Sequence, residues 1–164
     1  MKKLILVRHA KSSWSDRNLG DRERPLNARG ERDGPAMQAW LGTQPNPAEW
    51  IWCSSAERTR QTCAFVSAGF SLDTTRVCYE DDLYHATAET AFDFVRTTPE
   101  DVGSVAILFH NPGITYLAHQ LAPQAGIDNV PTFGVLRLST PDPWVSAGLS
   151  GFQLDTFMSP KRLP

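Results

Sequence analysis

Apolar residues fall along this chain in two kinds of run: short unbroken ones, and stretches in which they recur every three or four positions. A short unbroken run of leucine and β-branched residues marks a strand buried on both faces, as in a parallel sheet. Leu4-Ile5-Leu6-Val7, Trp50-Ile51-Trp52-Cys53 and the run from Ser104 to Phe109 have this form. They predict strands over about 3–8, 50–53 and 104–109, joined by weaker ones over about 76–79, 132–138 and 151–157.

The periodic stretches lie between them. Asn27 is a candidate N-cap for a helix over about 28–41 in which Gly30, Gly34, Met37 and Leu41 share one face, with Gly34-Pro35 weakening its early turns. Ser54, with Glu57 three residues on, reads as a capping box opening a helix striped by Thr59, Cys63, Val66 and Phe70. Thr87 caps a helix carrying Ala88, Ala91, Phe92 and Val95. Asn111 as N-cap, with Pro112 at the first helical position, starts one carrying Ile114, Leu117, Ala118 and Leu121. Strands alternating with helices predict an α/β fold with a central, mainly parallel sheet. The polar loop from Lys11 to Pro25 is placed to cover a substrate, the loop between the last two strands is a surface excursion, and Lys161 to Pro164 are expected to fray.

Composition narrows the picture. The 164 residues, 41% of them hydrophobic, suit a single domain spanning 1–164. A formal net charge of −2 argues against nucleic acid as a partner. Cys53, Cys63 and Cys78 are an odd set without CxxC spacing, so reduced, buried thiols and a cytoplasmic setting are expected. Lys2-Lys3 with its short apolar run does not make a signal peptide, and no stretch approaches a membrane span. A monomer is expected.

The chemistry gathers where strands end. Open α/β sheets bind ligands beyond the carboxyl ends of their strands. There the chain places Arg8-His9 after the first strand, Arg58 in the first turn of the helix after the second, and His110 after the fourth. If neighbouring strands bring these ends together, the side chains meet beside two helix N-termini, each adding roughly half a positive charge and free N–H donors. Such a pocket suits a dianion such as a phosphoryl group. Arginine matches phosphate oxygens with paired planar donors, and donors fixed around the equatorial oxygens stabilise phosphoryl transfer. A histidine with one neutral ring nitrogen can attack phosphorus, which makes His9 the candidate nucleophile and His110 a second donor, expected in its protonated form beside the negative charge. Lys11 and Ser12 stand where the chain leaves His9 and are candidate phosphate ligands. Trp14 either contacts substrate or tucks the loop down. Arg17, Arg22, Arg24, Arg29 and Arg32, interleaved with acids, are expected on a solvated face. His119 is expected at the surface.

Several of these segments resemble motifs of one family. Arg8-His9-Ala10 is similar to the RHG/RHA signature of the histidine phosphatase superfamily, the phosphoglycerate-mutase-like proteins. The segment from Ser54 to Thr62 resembles its second motif, serine, then arginine, then Gln-Thr. His110-Asn111-Pro112-Gly113 resembles its second histidine motif, and Arg24 to Gly30 its RPL-x-x-x-G stretch. The resemblance runs from Met1 to about Leu138, and the short chain is similar to the compact branch that dephosphorylates phosphohistidine in signalling proteins. It implies a three-layer αβα fold, His9 as nucleophile, Arg8, Arg58 and His110 around the phosphoryl group, and no metal or organic cofactor. It is the motif, not helical geometry, that selects Arg58 over Arg60.

The resemblance also implies a general acid, for which many members carry a glutamate two residues after the leucine that follows the third strand. Here Leu83-Tyr84-His85 puts His85 at that place, with Glu80, Asp81 and Asp82 just upstream. The acid is thus open between His85, Asp82, Glu80 and none. An alkoxide leaving group must be protonated as it departs, and losing a positioned acid typically costs about 10²–10⁴-fold. Imidazole is a far less basic leaving group, which ranks phosphohistidine in a protein above a small phosphomonoester as substrate. A non-catalytic phospho-recognition domain is the alternative outside enzymology.

Overall fold

The computed structural model describes residues 1–164. Its regular elements are β1 (Lys2–Arg8), α1 (Ala28–Gly42), β2 (Trp50–Ser54), α2 (Glu57–Gly69), β3 (Val77–Glu80), α3 (Ala88–Arg96), β4 (Ser104–Phe109), α4 (Gly113–Leu121), β5 (Val135–Thr140) and β6 (Gln153–Met158). The strands form one sheet in the order β3-β2-β4-β1-β5-β6. β3, β2, β4 and β1 run parallel, and β5 lies antiparallel to both β1 and β6. The sheet is thus mainly parallel, with one strand reversed.

Each unbroken apolar run feeds two cores, because successive side chains on a strand point to opposite faces. Ile5, Val7, Ile51, Cys53, Ala106 and Leu108 pack with Met37, Leu41, Cys63 and Val66 of α1 and α2. Leu4, Leu6, Val105, Ile107 and Phe109 pack with Phe92, Val95, Ile114 and Leu117 of α3 and α4. The result is the expected three-layer αβα arrangement. α1 runs unbroken through Pro35, and Gly34 is there for packing: a Cβ would lie 2.4 Å from the Phe65 ring.

Four local expectations are corrected. Ser54 does not cap α2, which starts after Ala56 without a side-chain cap; Ser54 is the last residue of β2, and its hydroxyl is used elsewhere. Asn111 does not cap α4, because its side chain accepts from Thr115 Oγ1 and donates to Asn129 Oδ1, and the helix begins at Gly113. β5 starts at Val135 rather than about 132, since Phe133 sits in the left-handed region with φ of 51°. The chain end does not fray: Pro160–Arg162 form a 3-10 turn, Leu163 packs against the α1/α2 core and the Arg162 guanidinium lies over Phe157.

Register positions the chemistry. Arg8 pairs with Phe109 across β1 and β4, so His9 and His110 leave neighbouring strands side by side. Cys53 pairs with Leu108, which brings Ser54 to the same edge.

Candidate active site

The carboxyl ends of β1, β2 and β4 surround a cavity of about 250 Å³ with a single hydrophobic side chain, Trp14, in its lining. Seven of the side chains singled out from the sequence for catalysis or phosphate binding line it: Arg8, His9, Lys11, Ser12, Arg58, His85 and His110. Asp21, Arg24, Asn111 and Thr132 complete the wall.

Two side chains of α2 fasten the loop after β1. Thr62 Oγ1 accepts from the Ala10 N–H at 2.9 Å, and Gln61 Oε1 accepts from the Leu26 N–H at 2.7 Å. These are the Gln-Thr pair of the second motif, which acts at a distance from the cavity. Gly30 completes the fastening. A Cβ there would lie 2.3 Å from the Lys11 carbonyl oxygen, so the loop meets α1 closely only because that side chain is absent. Arg60 turns away from the cavity, donating to the Ser55 carbonyl at 3.0 Å and lying over Tyr79.

The rings of His9 and His110 stand 5.3 Å apart, tilted by 52°. His9 Nδ1 is 2.7 Å from the Ala10 carbonyl oxygen, which can only accept, so Nδ1 carries the hydrogen and Nε2 keeps its lone pair. Burial, reinforced by the nearby charges of Arg58 and Arg8, lowers the His9 pKa to about 3. The ring is neutral at pH 7. His110 Nε2 lies 2.7 Å from Ser54 Oγ, which also accepts from the Ala56 N–H at 3.3 Å. Burial, with His9 and Arg58 nearby, lowers the His110 pKa to about 2, and its Nδ1 is buried without a partner.

The arginines are held by carbonyls and one carboxylate. Arg8 donates from Nη1 to the Val130 carbonyl at 2.9 Å, and desolvation lowers its pKa. Arg58, only 3% exposed, donates to the Asp21 carbonyl at 2.7 Å and to Asp21 Oδ2 at 3.2 Å. Asp21 also accepts from Tyr84 Oη at 2.5 Å and from Arg24 Nε at 3.0 Å, and His85 Nε2 lies 3.4 Å away. Partial burial opposes ionisation of Asp21, but the Tyr84 hydroxyl and the Arg58 guanidinium outweigh it and hold the carboxyl well below the usual range.

Asp21, Tyr84, Ser54 and Arg24 are the site residues that the sequence reading did not pick out. Arg24 was expected on a solvated face; instead it is buried, stacks 3.4 Å under Trp14 and donates to Ser12 Oγ at 3.1 Å. Its place in the RPL stretch was the available signal. Of the candidate acids, His85 lines the cavity, while Glu80 and Asp82 do not. His119 is exposed. No group of three His, Cys, Asp or Glu side chains is gathered to hold a metal ion. Three guanidiniums, an ammonium and two neutral imidazoles against one carboxylate make a receptacle for a tetrahedral oxyanion with an imidazole beside it.

The model of the histidine phosphatase superfamily (branch 1) matches residues 4–84, a span that holds Arg8, His9 and Arg58 and stops before His110. An uncharacterized protein of Mycobacterium tuberculosis is 29% identical over 162 residues, covering 90% of this chain and 99% of that one. A structure from Nakamurella multipartitia, provisionally named as phosphohistidine phosphatase SixA, superposes with a TM-score of 0.81 at 28% identity over 97% of this chain and 96% of that one. A protein histidine phosphatase SixA complexed with tungstate superposes with a TM-score of 0.81 at 22% identity over 99% of each chain.

Proposed function

From a chain with the histidine phosphatase superfamily fold, we propose a phosphatase that passes a phosphoryl group through His9, acting on phosphohistidine in a protein. The observation that carries this is the Nδ1–H bond to Ala10, which leaves His9 Nε2 unprotonated among arginines. Nε2 attacks phosphorus as the phosphorus–nitrogen bond of the substrate breaks; the substrate ring, protonated on its other nitrogen, takes the electron pair of that bond and leaves as neutral imidazole. Water then attacks the phosphohistidine and releases phosphate. Arg8 and Arg58 stabilise the equatorial oxygens.

His110 needs no charge to take part. The buried Ser54 hydroxyl already accepts from Ala56 and has no other acceptor in reach for its own hydrogen, so that hydrogen is assigned to His110 Nε2 and the ring hydrogen to Nδ1. A neutral Nδ1–H then donates to a phosphoryl oxygen. Lys11, Ser12 and Arg24 border the same anion, and His85 stands on the open side, 62% exposed, where a leaving group departs. The lack of a carboxylic acid free to donate a proton supports an imidazole leaving group: Asp21, the one carboxyl in the wall, is held ionised by Tyr84 and Arg58. Tungstate is a tetrahedral oxyanion, and its binding to a protein of this fold agrees with the assignment.

Two measurements test it. Wild type is expected to release phosphate from phosphoramidate and from a phosphohistidine peptide faster than from phosphoserine, and to trap labelled phosphate on acid-labile, base-stable protein. His9→Ala activity equal to wild type would overturn the mechanism, and faster phosphoserine turnover would overturn the substrate ranking.

A further inference from the structure

A second cleft, of about 240 Å³, adjoins the catalytic cavity, and Thr132 lines both. Arg29, Lys161, Arg162 and the Ser159 hydroxyl contribute to it beside the apolar rings of Pro131 and Pro160, with no carboxylate in its lining. Arg29 comes from the first turn of α1, and the other two cations come from the ordered turn at the chain end. Arg29 has Asp33 of the next turn at 3.7 Å, a long contact that leaves the arginine side chain 40% exposed. The other two cations make no ion pair. On a chain of net charge −2 this is a local concentration of positive charge.

The ridge between the two cavities is fixed. The Val130 carbonyl accepts from Arg8 at 2.9 Å and from Asn111 at 3.4 Å, and the Phe133 N–H donates to the His9 carbonyl at 3.0 Å. The same groups that position the nucleophile therefore set where the basic cleft lies relative to it. A polypeptide whose phosphorylated side chain enters the catalytic cavity has a path across Thr132, and an extended chain advances roughly 3.5 Å per residue. Residues a few positions from the phosphorylated one reach the cleft.

We propose that this cleft is a docking subsite for acidic residues flanking the phosphorylated residue of a protein substrate. The inference rests on the phosphatase reading and adds a preference among its substrates. Carboxylates meet three cations there, and rim charges of this kind act through encounter and orientation, with strong salt dependence.

The test compares two synthetic peptides phosphorylated on one histidine, one flanked by three Asp or Glu residues on each side and one flanked by Ser and Thr. Wild type is expected to favour the acidic peptide by roughly tenfold in kcat/KM at low ionic strength, with the preference shrinking toward parity in 0.5 M salt, as expected for about three modest exposed ion pairs. Arg29→Gln/Lys161→Gln/Arg162→Gln is expected to bring the preference within about twofold while phosphoramidate turnover stays at the wild-type level. The exposed single substitution Lys161→Gln is expected to remove part of it and guards against a folding defect in the triple variant. Equal use of both peptides by wild type, or an undiminished preference in both variants, would overturn the proposal and leave the phosphatase reading standing. Failure of wild type to turn over phosphoramidate and both peptides would overturn the two together.

Discussion

Replacing Ser54 by alanine separates a structural hydroxyl from a chemical one. Its Oγ is fully buried and holds His110 Nε2 at 2.7 Å while accepting from Ala56 at 3.3 Å. Removal leaves two buried polar groups without partners, at about 1–3 kcal/mol each when no water replaces the hydroxyl. Part of that loss falls on the folded state as a whole. The part felt when a phosphoryl oxygen needs a donor falls on the rate, and at about 1.4 kcal/mol per factor of ten it predicts a roughly 10- to 100-fold lower kcat with KM nearly unchanged. A stability defect alone would lower the folded fraction and nothing else. The distinguishing readout is the pH profile. Without the Ser54 hydrogen on Nε2, His110 is free to carry its proton there instead, Nδ1 becomes an acceptor, and donation to phosphate requires a second proton. The kcat of Ser54→Ala, which reports the substrate complex in which the phosphoryl charge favours a protonated His110, should therefore rise toward low pH relative to wild type, and Ser54→Thr should restore much of the wild-type profile. A kcat within twofold of wild type on fully folded Ser54→Ala, with an unchanged profile, would refute the role given to His110 Nδ1.

Three further outcomes are expected. His9 and His110 have folded pKa values near 3 and 2, below the ordinary histidine value, so the unfolded chain binds more protons below about pH 6.5. Stability should be fully present above that pH and be lost as pH falls toward 3; a urea midpoint flat from pH 7 to 4.5 would contradict the burial of two neutral rings. Asp21→Asn removes the one carboxylate bonded to Arg58 and Arg24 and should tighten competitive inhibition by inorganic phosphate several-fold; weaker inhibition would mean that Asp21 mainly orients the arginines. Gly30→Ala drives a methyl against the Lys11 carbonyl and should cost about 1–3 kcal/mol in thermal unfolding, with reduced turnover. Wild-type melting and activity would show that the loop shifts freely.

The parts of this molecule legible in the sequence were those in which one residue type has one physical meaning. Leu4 to Val7 and Ser104 to Phe109 are short, apolar runs with β-branched residues, the composition of interior strands, and Arg8-His9 and His110 follow them directly. The reversal of β5 was not legible, because a strand buried on both faces has the same composition in either direction. Ser54 was misread because serine with glutamate three residues on is also a cap signal, and spacing alone does not show that β2 takes one residue more. Asp21 gave no local sign. Its role exists only through Tyr84, Arg58 and Arg24, which the folded loop gathers from three segments.

The amides of Ala10 and Leu26 are covered by the side chains of Thr62 and Gln61 rather than by ladder partners. They exchange their hydrogens with solvent only when α2 lifts from the loop, whereas the amides of β1 and β4 wait for the sheet itself to part. Those two backbone positions are thus built-in gauges of how often the phosphate cradle comes undone while the rest of the molecule stays intact.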